Sequence, residues 1–136
     1  MNEKVGTSVK GKIGENIIIG EFLKRGFEVY LPVVDRGIDC VIRGSSGKFY
    51  TIQIKTRATE GKGRNYFYVH NFQPGTDFFI VLYSALTDET YVLPSEIFEK
   101  HSREAYARRG TRRRLVLTDK KRRILSPYKD GYEQFK

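Results

Sequence analysis

The sequence has 136 residues, 39% of them hydrophobic and 13% aromatic, and this size and composition predict one globular domain. No apolar run approaches the roughly 20 residues of a membrane-spanning helix, and no secretory signal is recognisable, so we expect a cytoplasmic protein with no membrane partner. The single cysteine, Cys40, excludes an intramolecular disulfide and a cysteine-rich zinc site.

The first predicted element is a helix over residues 7–25. Thr7 or Ser8 can cap its start, and Gly26 ends it. Its predicted apolar positions are Ile13, Ile17, Ile18, Phe22 and Leu23. Internal glycines each weaken a helix by about 1 kcal/mol relative to alanine, which favours a close approach to the sheet or to a ligand backbone. These glycines are Gly11, Gly14 and Gly20.

Strands dominate the middle of the sequence. The apolar run 77–86 is typical of a central strand covered on both faces. A helix follows strand 90–94. It begins at Ser95, which belongs to a capping motif, and reaches about Arg109. The order of elements predicts a mixed α/β or α+β domain. The predicted strands are 27–31, 38–43, 48–57, 66–69, 77–86, 90–94 and 112–118.

The hairpin of 38–43 and 48–57 brings three polar side chains together. A connecting loop with an odd number of residues, such as 45–47, pairs Asp39 with Gln53 and keeps the apolar residues of both strands on the other face. An even loop would pair Asp39 with Ile52 and mix the two faces. Because Lys55 follows Gln53 on the same face, the three polar side chains are predicted to meet on one side of the sheet.

These three residue types together are suited to phosphate chemistry. A carboxylate and an amide oxygen are hard donors of the kind that Mg²⁺ prefers. A lysine can orient or help to deprotonate a water, or stabilise charge that develops on a phosphate. The residues alone leave an alternative open, which is a surface salt bridge between Asp39 and Lys55 with Gln53 as a neutral neighbour.

With Glu15 on the first helix, this arrangement resembles the PD-(D/E)XK nuclease superfamily. The resemblance covers about residues 10–94 and is carried by GKIGENIIIGEFLKRGFEVY, PVVDRGIDCVI and QIK. The sequence is similar in particular to intron-type homing endonucleases and archaeal Holliday-junction resolvases. The resemblance implies a restriction-endonuclease-like α/β core, a mixed central sheet flanked by helices, and a Mg²⁺-dependent endodeoxyribonuclease in which Mn²⁺ can substitute.

The resemblance also implies roles for individual residues. Asp39 would be the main metal ligand, beside the Gln53 side chain and the Ile54 carbonyl. Lys55 would position the attacking water, and Glu15 would be an accessory acid from the helix.

Two residues near this site leave alternatives open. Gln53 stands where the superfamily usually has Asp or Glu, and its neutral amide implies weaker metal binding. The same departure favours the alternative of a catalytically weak or inactive nucleic-acid-binding module. Asp35 could support the site or cap the turn at Gly37, and the turn is favoured.

The net charge of +9 is concentrated at one end of the sequence. Residues 1–100, the predicted nuclease-like core, hold 13 Lys/Arg and 12 Asp/Glu, whereas 101–136, a basic extension of the same domain, hold 12 and 4. Such clusters predict a polyanionic partner, here DNA, with a solvated basic face or an acidic protein partner as alternatives. The candidate phosphate-binding residues are Arg57, Lys62, Arg64, Arg108, Arg109, Arg112, Arg113, Arg114, Lys120, Lys121, Arg122 and Arg123.

Two further expectations follow from a DNA substrate. Cutting both strands needs two active sites, so we expect a homodimer or a higher even oligomer. Tyr66 and Tyr68 project from the same side of their strand and could stack on bases or sugars, although an ordinary half-buried strand explains them equally well.

Overall fold

The computed structural model describes residues 6–58 and 65–136. The predicted helices and strands occur within them in the predicted order, and the strand Arg103–Glu104 and the helix Asp119–Ile124 are additional to the prediction. Lys62 and Arg64 lie outside the described residues. The helices are α1 (Thr7–Lys24), α2 (Ser95–His101) and α3 (Asp119–Ile124), and single 3₁₀ turns cover Ser126–Tyr128 and Tyr132–Gln134. The strands are β1 (Glu28–Tyr30), β2 (Cys40–Arg43), β3 (Phe49–Arg57), β4 (Tyr66–His70), β5 (Phe78–Ser84), β6 (Glu89–Pro94), β7 (Arg103–Glu104) and β8 (Arg112–Val116).

The strands form a main sheet of five and a second sheet of three. The main sheet has the order β1-β2-β3-β5-β6, with β3 and β5 parallel and the other pairs antiparallel. The second sheet has the order β4-β8-β7 and is antiparallel. A mixed central sheet with helices confirms the expected fold class, and β5 is the doubly covered central strand that its apolar run predicted.

Helix α1 packs on the main sheet through a narrow stripe. Gly14, Ile18 and Phe22 are buried, and they are spaced four residues apart along one helix face. A Cβ atom on Gly14 would lie 2.1 Å from Thr56 Oγ1, so this glycine permits the close approach of helix and sheet. The buried stripe is narrower than the apolar pattern of the sequence, so three of the predicted apolar positions lie outside it. They are exposed: Ile13, Ile17 and Leu23.

The ends of α1 agree with the prediction only in part. Gly26 follows the helix with a φ of 85°, a conformation that glycine adopts without steric cost. The N-cap is Gly6, with no side-chain cap, so the predicted capping by Thr7 or Ser8 is wrong.

Helix α2 is shorter than predicted. It ends at His101, because Ser102 is extended and the next two residues pair with β8 as strand β7. The predicted cap at Ser95 is also wrong: Pro94 is the N-cap, and the Ser95 hydroxyl instead exchanges hydrogen bonds with the Gly75 backbone.

Two hydrophobic cores lie on opposite faces of the main sheet. The first lies under α1 and includes Phe22, Ile52 and Ile54. The second lies between the main sheet, the second sheet and α2, and includes Leu82, Phe98 and Leu115. Residues 101–136 contribute to both cores, since Leu115, Leu117 and Leu125 join the second core while Tyr132 and Phe135 join the first.

Phe135 shows how closely this region packs on the main sheet. Its ring makes edge contacts with four other aromatic rings at centroid distances of 4.6–5.9 Å. The next residue, Lys136, accepts hydrogen bonds at its carbonyl oxygen from Ser46 Oγ and Tyr50 Oη. The four rings are those of Phe22, Phe27, Tyr50 and Phe79.

Within the described ranges, no helix is both long enough and apolar enough to cross a membrane.

Candidate active site

The β2–β3 hairpin has the register that the sequence predicted. Cys40 faces Ile52, Arg43 faces Phe49, and Gly44 N–H donates to Lys48 C=O across the three-residue loop 45–47. The pairing continues past the start of β2, because Asp39 N–H donates to Ile52 C=O at 2.8 Å. This odd loop therefore places Asp39 level with Gln53, on the face opposite Cys40 and Ile52.

The Asp39 carboxylate is held by the backbone of the neighbouring strand. Ile54 N–H donates to Asp39 Oδ2 at 2.6 Å. Such a charge-assisted bond fixes the orientation of the carboxylate at the point where β2 begins. A carboxylate has a second oxygen, so this bond is compatible with coordination of a cation.

The predicted catalytic residues line one cleft. It has a volume of about 500 Å³ and lies between the first half of α1, the segment before β2 and the end of β3. Glu15 enters it from α1, where its carboxylate accepts from Lys12 Nζ at 3.0 Å. The predicted site residues in its lining are Glu15, Asp39, Gln53, Ile54, Lys55 and Arg57.

The electrostatics of the cleft centre on Asp39. Burial raises the pKa of its carboxyl group, and the negative charges of Glu15 and Asp35 raise it further. The Ile54 N–H bond and the Lys55 charge oppose this rise without cancelling it. The ionised carboxylate is therefore less stable here than in water, and a cation bound beside it would compensate.

Lys12 was not identified from the sequence, although it lies in this cleft. The hydrogen bond and the charge of Glu15 raise the pKa of its ammonium group, with smaller contributions from Asp39 and Asp35. The spacing of Lys12 and Glu15, three residues apart on one helix, was the signal that could have indicated the pair.

The donor groups in the cleft fit a hard divalent cation with few protein ligands. No group of three or more His, Cys, Asp or Glu side chains converges in the described part of the chain. The cleft does contain the Asp39 carboxylate and the Gln53 side chain, together with the Ile54 backbone. Oxygen donors of this kind, completed by waters, are the usual environment of Mg²⁺ in proteins.

Two neighbouring residues have structural explanations. Asp35 Oδ1 accepts from Gly37 N–H at 3.1 Å, so Asp35 caps the turn that leads into β2, as favoured from the sequence. The Cys40 side chain is buried in the first core, and burial raises the pKa of its thiol to about 12. Such a thiol is not a nucleophile at neutral pH.

A larger cavity, of about 630 Å³, lies away from this cleft, near the hairpin loop 44–47 and residues 132–136. Its ionisable lining residues do not include the Asp39–Lys55 combination. Volume alone therefore does not identify the site, whereas the chemistry of the smaller cleft does.

The candidate phosphate-binding residues differ in what they already contact. Arg113 donates to Ser102 Oγ and to the Glu99 and Ser102 carbonyls. Arg122 pairs with Glu89 through two guanidinium nitrogens at 3.0 Å, and also with Asp119. These two side chains hold elements of the fold together.

Two other arginines of this set lie on tyrosine rings. The Arg57 guanidinium lies 4.5 Å from the centre of the Tyr66 ring, and that of Arg112 lies 4.0 Å from the centre of the Tyr68 ring. Exposed members of the set are Arg108, Arg109, Arg114, Lys120 and Arg123.

Comparisons with known proteins identify the family of the chain. The sequence profile of the PD-(D/E)XK endonucleases matches residues 5–126. A solved structure described as the bacterial homing endonuclease I-Ssp6803I is similar over 96% of this chain and 93% of that chain, with a TM-score of 0.67 and 26% sequence identity. Among curated proteins there is no significant match. The resemblance read from Glu15, Asp39, Gln53 and Lys55 is thus confirmed, and the chain belongs to the PD-(D/E)XK endonuclease family.

Proposed function

We propose that this endonuclease is a homing-type enzyme that hydrolyses phosphodiester bonds of duplex DNA with Mg²⁺ as its cofactor. The observation that carries the proposal is the hydrogen bond from Ile54 N–H to Asp39 Oδ2 at 2.6 Å. This bond joins the start of β2 to the strand that bears Gln53 and Lys55, and thereby assembles an acid, an amide and a lysine in one cleft.

The metal would be held by the Asp39 carboxylate, the Gln53 side-chain oxygen and the Ile54 carbonyl. When bound, the metal supplies positive charge to the phosphate oxygens and lowers the pKa of a bound water. The neutral Gln53 makes this site less negative than one with two acids. We therefore propose that the enzyme needs a higher Mg²⁺ concentration than relatives with a second carboxylate at this position.

The side chains of the cleft then act directly on the reactants. Lys55 orients the attacking water and places a positive charge next to the phosphate that is cleaved. The water oxygen forms a bond to phosphorus as the bond to the leaving oxygen breaks. Glu15 adds a second carboxylate at the edge of the cleft, and its ion pair with Lys12 holds it in place.

Cleavage assays test this assignment. Wild-type protein is incubated with supercoiled plasmid and linear duplex in Mg²⁺ and in Mn²⁺, beside Lys55→Ala and Asp39→Ala. We expect both substitutions to reduce cleavage by about 100-fold or more, the usual magnitude for a group that acts on the transition state. Lys48→Ala is the matched control, because Lys48 lies on the same hairpin but pairs with Asp77 outside the cleft. DNA binding by wild-type protein with no nicking in either metal would refute the enzymatic proposal.

A second candidate function is a DNA-binding module without turnover. It is favoured by Gln53, which stands where the superfamily usually has an acid. This alternative predicts equal DNA affinity for wild type and Lys55→Ala, and no cleavage by either protein.

The substrate class also needs a direct comparison. Similarity to a structure described as a bacterial homing endonuclease supports a homing-type substrate. Four-way junctions and duplexes of matched sequence, tested at equal concentration, separate a homing-type enzyme from a junction-resolving one. Preferential cleavage of the junction would overturn the homing-type assignment.

Because cutting both strands of a duplex needs two active sites, we propose a homodimer or a higher even oligomer. Exposed apolar side chains on α1 offer a surface for self-association, among them Val9, Ile13 and Ile17, which recur every four residues. Light scattering coupled to gel filtration measures the mass in solution. A monomer at all concentrations that support double-strand cleavage would contradict this proposal.

A further inference from the structure

On the outer face of the second sheet, two neighbouring tyrosine rings lie between two arginine side chains, one from β8 and one from β3 of the main sheet. On β4, Phe67 and Val69 point into the second core, so Tyr66 and Tyr68 point outward. Their rings are 5.2 Å apart, with Arg57 over Tyr66 at one end and Arg112 over Tyr68 at the other. The Arg–Tyr row is defined here as Arg57, Tyr66, Tyr68 and Arg112.

The arginines in this row are oriented without being neutralised. Stacking on a ring uses the face of a guanidinium group, whereas its hydrogen-bond donors point along the edges. Among the described residues, no carboxylate pairs with Arg57 or Arg112, and the buried Nε of each has no hydrogen-bond partner. The tyrosines thus hold two positive charges in place and, because each Nε is buried, only the terminal guanidinium nitrogens are left to contact an anion.

The same face continues into a basic groove. In the register of the second sheet, Tyr68 faces Arg114, which in turn faces Arg103 on β7. Beside them lies a groove of about 450 Å³ with no acidic residue in its lining. Burial and neighbouring positive charges lower the pKa of both Lys121 and His101. The basic groove is defined here by His101, Arg103, Arg114, Lys120 and Lys121.

The row begins at the candidate active site. Arg57 lies two residues after Lys55 on β3, and its side chain lines the catalytic cleft. At the other end of β4, His70 and Gln53 line one cavity of about 340 Å³. Strand β4 therefore runs alongside the part of β3 that carries Gln53 and Lys55, and Arg57 connects the row to the cleft.

We propose that the outer face of the second sheet binds the phosphate backbone of the duplex on which the cleft acts, with the Arg–Tyr row contacting phosphates next to the cleft and the basic groove contacting phosphates farther away. This inference rests on the proposed endonuclease function and adds the path of the DNA. Tyr66 and Tyr68 are positioning residues, because they act by holding Arg57 and Arg112. Phosphate contacts of this kind orient a duplex without reading its sequence.

The proposal is tested by binding without turnover. Fluorescence anisotropy of a labelled duplex in EDTA measures affinity as a function of salt for wild type, for Arg57→Gln/Arg112→Gln and for Arg114→Gln/Lys121→Gln. Each lost phosphate contact reduces the slope of log K against log salt by about 0.9, so we expect each double variant to reduce it by about 2 and to weaken binding roughly 10- to 100-fold near 0.15 M salt.

Two controls separate a DNA path from a general effect of charge or folding. Arg25→Gln removes an arginine that also lies over a tyrosine, at 4.0 Å from the Tyr132 ring, but on the α1 side and paired with Glu21. We expect it to leave the slope unchanged apart from a small effect of net charge. Tyr68→Leu should reduce the slope by about 1, whereas Tyr68→Phe, which keeps the ring, should restore it.

The outcomes distinguish this inference from the proposed function. Wild-type cleavage together with unchanged slopes in both double variants would overturn the DNA path and leave the endonuclease intact. Reduced slopes in the absence of any wild-type cleavage would support the path and refute catalysis. If an acidic polypeptide of equal charge competes as well as unlabelled duplex, the face is a site for acidic proteins and the inference is wrong.

Discussion

Ile54 N–H holds the Asp39 carboxylate at 2.6 Å, and this bond only partly offsets the cost of burying that charge. Burial, Glu15 and Asp35 raise the pKa of Asp39 above its ordinary value. The candidate metal ligand is therefore a source of instability in the metal-free protein. This relationship leads to the first two expectations below.

Asp39→Asn should abolish cleavage without reducing stability. Because the folded pKa of Asp39 lies above the unfolded value, the folded state binds the proton more tightly, and stability falls as pH rises from the unfolded to the folded pKa. Above that window an uncharged asparagine removes the penalty and can still accept from Ile54 N–H. We expect a melting temperature at pH 7 equal to or higher than that of wild type in EDTA, measured by calorimetry. A lower melting temperature for Asp39→Asn would show that the charge itself stabilises the fold.

Mg²⁺ should raise the melting temperature of wild-type protein and not that of Asp39→Asn. A ligand that binds only the folded state stabilises it, by about 2.7 kcal/mol at 100 times its dissociation constant. The melting temperatures of wild type and Asp39→Asn are measured at increasing Mg²⁺ concentrations, and again with Ca²⁺ as a second cation. Equal increases in melting temperature in the two proteins would mean that the metal binds at a different site.

Gln53→Glu should strengthen metal binding and reduce the stability of the metal-free protein. A second carboxylate beside Asp39 adds negative charge, which raises the pKa of Asp39 further when no cation is present. We expect a lower melting temperature in EDTA and half-maximal stabilisation at a lower Mg²⁺ concentration. Gln73→Glu, an exposed position on the other side of the cavity that Gln53 lines, adds the same charge as a control. The same response from both variants would count against Gln53 as a metal ligand.

Gly14→Ala should destabilise the protein although alanine favours helices. Its Cβ would meet Thr56 Oγ1 at 2.1 Å, so α1 or the end of β3 must move, at a cost of about 1–3 kcal/mol. Gly11 and Gly20 have no atom within 4 Å of an added Cβ, and there alanine should stabilise by up to about 1 kcal/mol. Urea denaturation of the three variants gives the comparison. Stabilisation by all three substitutions would mean that the helix does not sit this close to Thr56.

Arg122→Gln should reduce stability and leave the salt dependence of DNA binding unchanged. The Glu89 side chain is only 11% exposed and would lose its main partner.

The pH dependence of this effect follows from the pKa of Glu89. Although burial acts in the opposite direction, the hydrogen bonds from Arg122, Thr87 and Tyr91 hold the pKa of Glu89 below its usual value. The stabilisation is therefore present above the unfolded pKa of Glu89 and is lost as pH falls through the lower folded value. We expect a loss of about 1–3 kcal/mol at pH 7 that shrinks in acid, measured by denaturation at both pH values. A reduced salt slope in Arg122→Gln would instead assign Arg122 to phosphate binding.

The register of the β2–β3 hairpin could be predicted from the sequence because it depends on residues that are close together in the chain. Strands alternate with a period of two residues, so the apolar pair Ile52 and Ile54 fixed the face of Gln53 and Lys55, and the loop parity then placed Asp39 beside them. The second sheet could not be predicted in the same way. Its strand β7 has only two residues, and β4 and β8 are more than 40 residues apart, so their pairing depends on tertiary contacts.

Burial was harder to predict than secondary structure. The apolar residues of α1 exceed the narrow stripe that the sheet covers, and a single sequence does not say that Ile13 and Ile17 remain exposed. Similarly, the sequence alone shows the twelve Lys and Arg residues over 101–136 only as a basic region. In the fold they separate into internal partners such as Arg113 and Arg122, and outward-facing groups such as Arg114.

The three-residue loop at 45–47 has a consequence for how this chain can vary. Exposed loops normally tolerate changes of length. Here, insertion or deletion of one residue would move the partner of Asp39 from Gln53 to a residue whose side chain points into the first core, because neighbouring residues of a strand face opposite ways. Ser45 and Ser46 can be replaced far more freely than residues can be added to or removed from the loop, whereas Gly47 has a φ of 90°, which favours glycine. The length of this loop therefore determines which residue of β3 lies beside Asp39 in the candidate active site.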